Sequence, residues 1–268
     1  MIKHVFSDMD GTLLNSQGRL APSNAALIHQ AGLPVTLVSA RAPIEMLPAI
    51  TALHLQGPQI AFNGGLIFRL GAAGIEPLTA TPLPAASAQT LLRQIHQQFP
   101  TVSLSFYDRK RWYTTHIDAG IRYEQRLTEQ APELLVTGLE AAASLTLFKL
   151  MMITFDPDEM QALETFLRAL AVPGVAIQRS GSDYLEITSQ QATKAHGLHY
   201  LFTANGLTRA DTAAFGDGHN DLPMLTRVGT PIAMANAQPE VLAACTHVTA
   251  SNDDDGVGVG IHRFLLQQ

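Results

Sequence analysis

The residues best suited to chemistry in this 268-residue chain are carboxylates that follow apolar runs. Asp8-Met9-Asp10-Gly11-Thr12 comes directly after Val5-Phe6-Ser7. Acids at i and i+2 beyond the carboxyl end of a strand can point into one crevice, and Gly11 lets the backbone turn there. Such a pair suits a division of labour, with one carboxylate ionised as a nucleophile and the other moving a proton. Asp-Gly by itself is an ordinary turn signal; the doubled acid after an apolar strand points further. A second acidic loop, Gly216-Asp217-Gly218-His219-Asn220-Asp221, follows another apolar run. Asp217 and Asp221 offer hard oxygen ligands, which suit Mg²⁺ better than a softer metal. An EF-hand does not fit, because the alternating acids and the distal Glu are missing. Taken alone, Asp221 reads as a helix N-terminal acid, and His219 as an exposed loop side chain.

Ser39 ends the apolar run 35–38 and could hydrogen-bond a phosphate oxygen, although an isolated serine there is usually a cap or turn residue. Lys194 falls near the start of a helical segment, where a cation opposes the helix dipole. The chain has only four lysines, Lys3, Lys110, Lys149 and Lys194, and reaching an anion would explain the position of the last. Two acid pairs, a hydroxyl and an ammonium at strand and helix ends compose a phosphoryl-transfer site. It would have a nucleophile, a proton shuttle, a bound metal and cationic cover for the equatorial oxygens.

These groups need a scaffold that brings strand ends together. Strand-like runs at 2–6, 35–38 and 59–62 alternate with helical segments at 22–31 and 43–55, which predicts parallel βαβ units. The pattern changes near Thr81-Pro82. Helical segments at 85–98, 119–130 and 158–171 then sit among strand-like runs at 102–106, 112–116, 147–155, 175–179 and 184–187. Tight polar links such as 180–183 suggest an antiparallel α+β sheet. From about 188 the alternation returns, with helices at 194–204, 221–227, 240–244 and 258–266 and strands at 212–215, 231–234 and 247–250. The expected fold is α/β: a Rossmann-like parallel-sheet core built from both chain ends, 1–81 and 187–268, with an inserted domain at 82–186. In such a sheet the crevice beyond the carboxyl ends of the strands is the ligand site.

Composition narrows the partners. The chain is 46% hydrophobic and 15% charged with a net charge of −6, against roughly 25% charge in a typical soluble domain. No basic footprint for nucleic acid is present. No apolar stretch of about 18 residues is present for a membrane span. The N-terminal run carries two acids too early for a signal peptide, and the single Cys245 cannot form an intrachain disulfide. A cytoplasmic protein, monomeric or weakly dimeric, is the expectation. The basic run 107–113, flanked by aromatics, reads either as an arm toward an anionic substrate or as a solvated hairpin turn.

The order DMDGT, VSAR, TK and GDGHND, with a long insert between the second and third motifs, resembles the haloacid dehalogenase-like (HAD) phosphatases. Spacing and the segments 60–65 and 251–257 look like the Cof-type sugar-phosphate phosphatase subgroup. The resemblance implies that Asp8 attacks phosphorus and that Asp10 protonates the leaving oxygen and later activates water. It implies that Ser39 and Lys194 hold the phosphoryl group, with Asn220 on the phosphate or supporting its loop. Mg²⁺ would be bound by Asp8, the Asp10 main-chain carbonyl and Asp217, with Asp221 a direct or water-mediated partner. Asn63 and Asn252 would lie at the substrate rim, and the insert would act as a cap. Ser39, Ala40 and Ala195 depart from the usual threonine and glycines without removing a reactive group. The expected substrate is a small phosphorylated metabolite, a sugar phosphate. A hexose-phosphate phosphomutase, and a phospho-acceptor sensor without rapid turnover, are the alternatives.

Overall fold

A computed structural model describes residues 1–266. The chain divides into two units, one made of residues 1–41, 46–79 and 193 onward, the other of 42–45 and 80–192. The first stretch of chain supplies β1 (His4–Ser7), α1 (Pro22–Ala31), β2 (Val35–Leu37), α2 (Pro43–Ala52), β3 (Gln59–Ala61), β4 (Leu66–Gly71) and β5 (Gly74–Ala80). The insert supplies α3 (Ala85–Gln98), β6 (Ser103–Tyr107), β7 (Trp112–Thr114), α4 (Ala119–Thr128), β8 (Glu133–Leu134), β9 (Lys149–Ile153), α5 (Pro157–Ala169), β10 (Val175–Ser180) and β11 (Tyr184–Ser189). The last stretch supplies α6 (Lys194–Asn205), β12 (Thr212–Gly216), α7 (Leu222–Leu225), β13 (Thr230–Ala233), α8 (Pro239–Ala244), β14 (His247–Val248) and α9 (Gly256–Phe264).

In the first unit a parallel sheet runs in the order β14-β13-β12-β1-β2. β1, β2 and β12 are buried along their whole length, which is why they read as continuous apolar runs rather than alternating ones. The sheet is built from both chain ends: β1 pairs with β12 through Val5↔Ala213 and with β2 through Val5↔Val35. α1 begins on Pro22 and stops at Gly32, whose φ of 64° closes the helix in the left-handed region.

Several sequence expectations need correction. The third strand is not a full member of the parallel sheet. A single parallel bridge, Val38↔Ile60, joins it to the end of β2, and its ladder runs antiparallel to β4. The chain turns back at Phe62–Gly64, a 3₁₀ turn in which Phe62, Asn63 and Gly64 all have positive φ. That reversal commits the hydrogen bonds of β3 to the β3-β4-β5 sheet. The insert also ends later than residue 186. β11 continues to Ser189 because Thr188 and Ser189 still pair with β9 and β10, so the boundary falls after Ala192. The segment 221–227 is a 3₁₀ turn, His219–Asp221, followed by a single helical turn, and Asp221 lies on the 3₁₀ turn.

The second unit is a six-stranded sheet, β10-β11-β9-β6-β7-β8, antiparallel except where β7 meets β8. Its period-two alternation sorts the two faces. Leu104, Phe106, Leu150, Met152, Leu185 and Ile187 pack with apolar residues of α3 and α5. Tyr107 and Lys149, register partners, share the opposite face with Tyr184 and Glu186. α4 brings Glu124 to that face, where it accepts a 2.7 Å hydrogen bond from the Tyr184 hydroxyl. The basic run 107–113 is a hairpin turn: Tyr107 pairs with Trp112, and Asp108 Oδ1 accepts from the Lys110 and Arg111 amides. Among the described residues no helix is long and apolar enough to cross a membrane.

Candidate active site

Three adjacent strands deliver the acidic and hydroxyl groups. Asp8 follows β1, Ser39 lies just beyond β2, and Asp217 follows β12. The sheet order β12-β1-β2 sets these three carboxyl ends side by side. The backbone locks them there: the Asp8 amide donates to the Phe215 carbonyl at 3.0 Å, and the Ser39 amide donates to the Ile60 carbonyl at 2.9 Å.

Lys194 is 1% exposed, and its Nζ donates to Asp8 Oδ1 and, at 2.6 Å, to Asp221 Oδ1. It opens α6, whose N-cap Thr193 accepts from the His196 amide. Burial alone would lower the Lys194 pKa; Asp221 and then Asp8 outweigh it and hold the ammonium above its usual range. Asp8 is pushed well above the usual carboxylate range, first by burial and then by Asp221, against the pull of Lys194. Asp221 has both oxygens engaged. Oδ1 takes Lys194, and Oδ2 accepts from the Asp217 and Gly218 amides, each at 2.9 Å.

Asp217 approaches from the neighbouring loop and accepts a 2.7 Å hydrogen bond from Thr12 Oγ1. Burial raises its pKa to about 6 although the Thr12 bond pulls the other way. Gly11 makes this approach possible. Its φ is +75°, and a Cβ there would lie 2.4 Å from Asp217 Oδ2. Asp8, Asp217 and Asp221 each bring a carboxylate oxygen within 4.8 Å of the others. Three hard carboxylates around a single ammonium leave negative charge uncompensated in a largely buried place, which fits a divalent cation.

Asp10 is on the same loop as Asp8 but faces outward, and Arg41 grips it with both arms. Nε donates to Oδ2 at 2.8 Å and one terminal nitrogen to Oδ1 at 2.6 Å. Its charge still reaches Asp8 and Asp217 and raises both. Ser39 is buried, and its Oγ accepts from the Arg41 amide at 3.1 Å. Asn220 is half-buried on the 3₁₀ turn, its amide oxygen over Gly218, and His219 beside it is exposed.

Of the two asparagines expected at the substrate rim, Asn63 is buried and Asn252 braces a loop. Asn63 is buried next to Ser39, donating its amide to the Ser39 carbonyl at 2.8 Å. Its Oδ1 is buried without a hydrogen-bond partner. Asn252 braces the loop after β1: its side chain donates to the Leu14 carbonyl at 2.9 Å, and its amide donates to Asn236 Oδ1 at 3.0 Å. Asn236 in turn donates to the Gly11 carbonyl at 2.8 Å. Arg41, Thr12 and Asn236 were not singled out from sequence. Thr12 and Arg41 stand inside the DMDGT and VSAR runs, so their position was visible there; Asn236 carries no local signal.

The family model for haloacid dehalogenase-like hydrolases matches residues 5–261. The chain belongs to the haloacid dehalogenase-like hydrolases. It is similar to a putative phosphatase of Haemophilus influenzae, 29% identical over 263 residues covering 97% of each chain. It is also similar to the pyridoxal phosphate phosphatase YbhA of Escherichia coli, 27% identical over 267 residues with 97% of each covered. A haloacid dehalogenase-like hydrolase of Bacteroides thetaiotaomicron superposes with a TM-score of 0.89 at 27% identity, covering 99% of this chain and 100% of that one. This hydrolase is an enzyme of the phosphatase type, with an α/β core and an inserted α+β unit.

Proposed function

We propose that this hydrolase cleaves small phosphate monoesters, sugar phosphates foremost, through an aspartyl phosphate on Asp8. The observation that carries the reading is the buried Lys194 bridging Asp8 and Asp221 at the carboxyl edge of the parallel sheet. Lys194 holds one Asp8 oxygen, which orients the other toward an incoming phosphorus. In the first step that oxygen forms a bond to phosphorus, the ester P–O bond breaks, and Asp10 gives a proton to the departing alcohol oxygen. In the second, Asp10 takes a proton from water, the water oxygen bonds to phosphorus, and the Asp8 carboxylate leaves. Ser39, Lys194 and Asn220 provide donors for the phosphoryl oxygens.

Asp8, Asp217 and the Asp10 main-chain carbonyl would hold Mg²⁺. Asp221, with its oxygens already shared between Lys194 and two amides, suits a water-mediated contact. When bound, Mg²⁺ supplies charge neutralisation among the carboxylates and polarises the phosphoryl oxygens.

The test is Asp8→Asn assayed with an aryl phosphate and Mg²⁺. Turnover is expected to fall by at least about 10³-fold; an undiminished rate removes Asp8 as nucleophile. A panel of sugar phosphates, with pyridoxal phosphate for comparison with the Escherichia coli relative, ranks the substrates. Release of inorganic phosphate without isomerised hexose phosphate separates hydrolysis from phosphomutase activity.

A further inference from the structure

The ion pair between Arg41 and Asp10 has the geometry of a latch. Both carboxylate oxygens of Asp10 are taken by the guanidinium fork, at 2.8 and 2.6 Å. The Arg41 side chain is 20% exposed and that of Asp10 56%, so the pair sits where a soluble ligand can reach it. The Arg41 backbone, by contrast, is fixed. Its amide donates to Ser39 Oγ at 3.1 Å, and its carbonyl accepts from the Phe62 amide at 3.0 Å. Arg41 thus ties the loop after β2 to the loop after β1, next to the hydroxyl read as a phosphate donor.

A carboxyl group that protonates a leaving oxygen must turn one of its own oxygens toward that atom. Asp10 cannot do so while both are held in the fork. A guanidinium accepts a phosphate as readily as a carboxylate, in the same two-armed geometry, and a phosphomonoester dianion carries more charge than Asp10. We propose that Arg41 is the positioning residue for Asp10: a phosphomonoester dianion takes over one arm of the fork and frees one Asp10 oxygen, while the other arm keeps its hold on the second oxygen and aims the carboxyl group. This rests on the reading of Asp10 as proton donor.

Leaving-group dependence tests it. An alkyl or sugar phosphate departs as a strongly basic alkoxide and needs the proton; a nitrophenyl phosphate departs as a weakly basic phenolate and hardly needs it. Asp10→Asn is the reference, and its turnover should fall about 10²-fold or more on the alkyl ester with a much smaller loss on the aryl ester. Arg41→Gln is expected to raise KM for both esters, because a phosphate contact is lost from each. Its kcat should drop at least about tenfold further on the alkyl than on the aryl ester. Arg41→Lys, which keeps the charge and one arm, should fall between Arg41→Gln and the parent. The double variant Arg41→Gln/Asp10→Asn should be no slower on the alkyl ester than Asp10→Asn alone.

An unchanged alkyl-to-aryl kcat ratio in Arg41→Gln, or additive losses in the double variant, overturns the proposal while leaving Asp10 as the acid. An unchanged ratio in Asp10→Asn itself overturns the proton-donor reading instead. Thermal unfolding of each variant separates a folding defect from either result.

Discussion

Each unit buries one lysine, and the two are used differently. Lys194 in the first unit is 1% exposed and is met directly by Asp8 and Asp221. Lys149 in the second unit is 3% exposed; it lies 3.5 Å from Glu186 and 4.7 Å from the centre of the Tyr107 ring. Burial by itself would lower both ammonium pKa values, and carboxylates outweigh it at both. The acids around Lys194 stand on loops released by glycines, which let carboxylates converge on a point. Those around Lys149 are spread over a strand, a helix and the segment before Met46: Glu186, Glu124 and Glu45. Convergence makes a site suited to a cation and to the phosphoryl chemistry proposed above. Dispersion makes a polar face that tolerates charge without focusing it.

The largest expected difference is in Lys194→Met. It leaves Asp8 and Asp221 buried without their cation, which costs about 3–5 kcal/mol, and turnover should be lost. Chemical denaturation and the aryl phosphate assay read the two effects, with Lys194→Arg as the fallback should the first variant not fold. Lys149→Met should cost less, about 2 kcal/mol, with aryl phosphate turnover within about tenfold of the parent. Equal loss of turnover in the two variants would erase the contrast between them.

Two buried groups, one in each unit, respond to acid with opposite sign. Burial raises the Glu124 pKa to about 7, so the folded second unit binds the extra proton between about 4.5 and 7. Its contribution to stability is present below about 4.5 and is lost as pH rises to about 7. Burial lowers the His4 pKa to about 4 in the first unit. Its contribution is present above about 6.5 and is lost as pH falls toward 4. Amide hydrogen exchange followed from pH 4 to 8 should show protection moving in opposite directions around His4 and around Glu124. Glu124→Gln should flatten the second trend and be more stable than the parent at pH 8 by about 2 kcal/mol. His4→Gln should flatten the first. A smaller effect is expected from Thr12→Val, which removes the donor on Asp217 Oδ1. The proposed activation by Mg²⁺ should shift to about tenfold higher concentration, and a chelator titration measures it; no shift would mean that Thr12 only supports the loop.

Much of this was legible along the chain. The two acidic loops, the strands ahead of them and the helix that opens on Lys194 are local features, written in apolar runs, glycines and caps. The hairpin β4–β5 was not read, because its pattern is weak: β5 is nowhere fully buried and so lacks the alternation that marks a half-buried strand. The diversion of β3 was missed because so short a run, Gln59-Ile60-Ala61, fits a parallel or an antiparallel ladder equally well; the positive φ values at Phe62–Gly64 decided it. Arg41 was passed over because nothing about an arginine after Ser-Ala says which acid it will reach.

The sequence by itself determined the α/β core, the inserted unit and the two acidic loops, hydroxyl and ammonium that are proposed to act on a phosphate. Those follow from periodicity and turn chemistry, which operate between neighbours along the chain. Only the tertiary structure decided that Lys194 meets an aspartate 186 positions away, that Arg41 closes on Asp10, and that Asp221 spends its oxygens on Lys194 and its own loop. Those pairings depend on strand order, with β1 between β12 and β2. Strand order is set by how whole faces are buried against one another, which no local run of residues encodes.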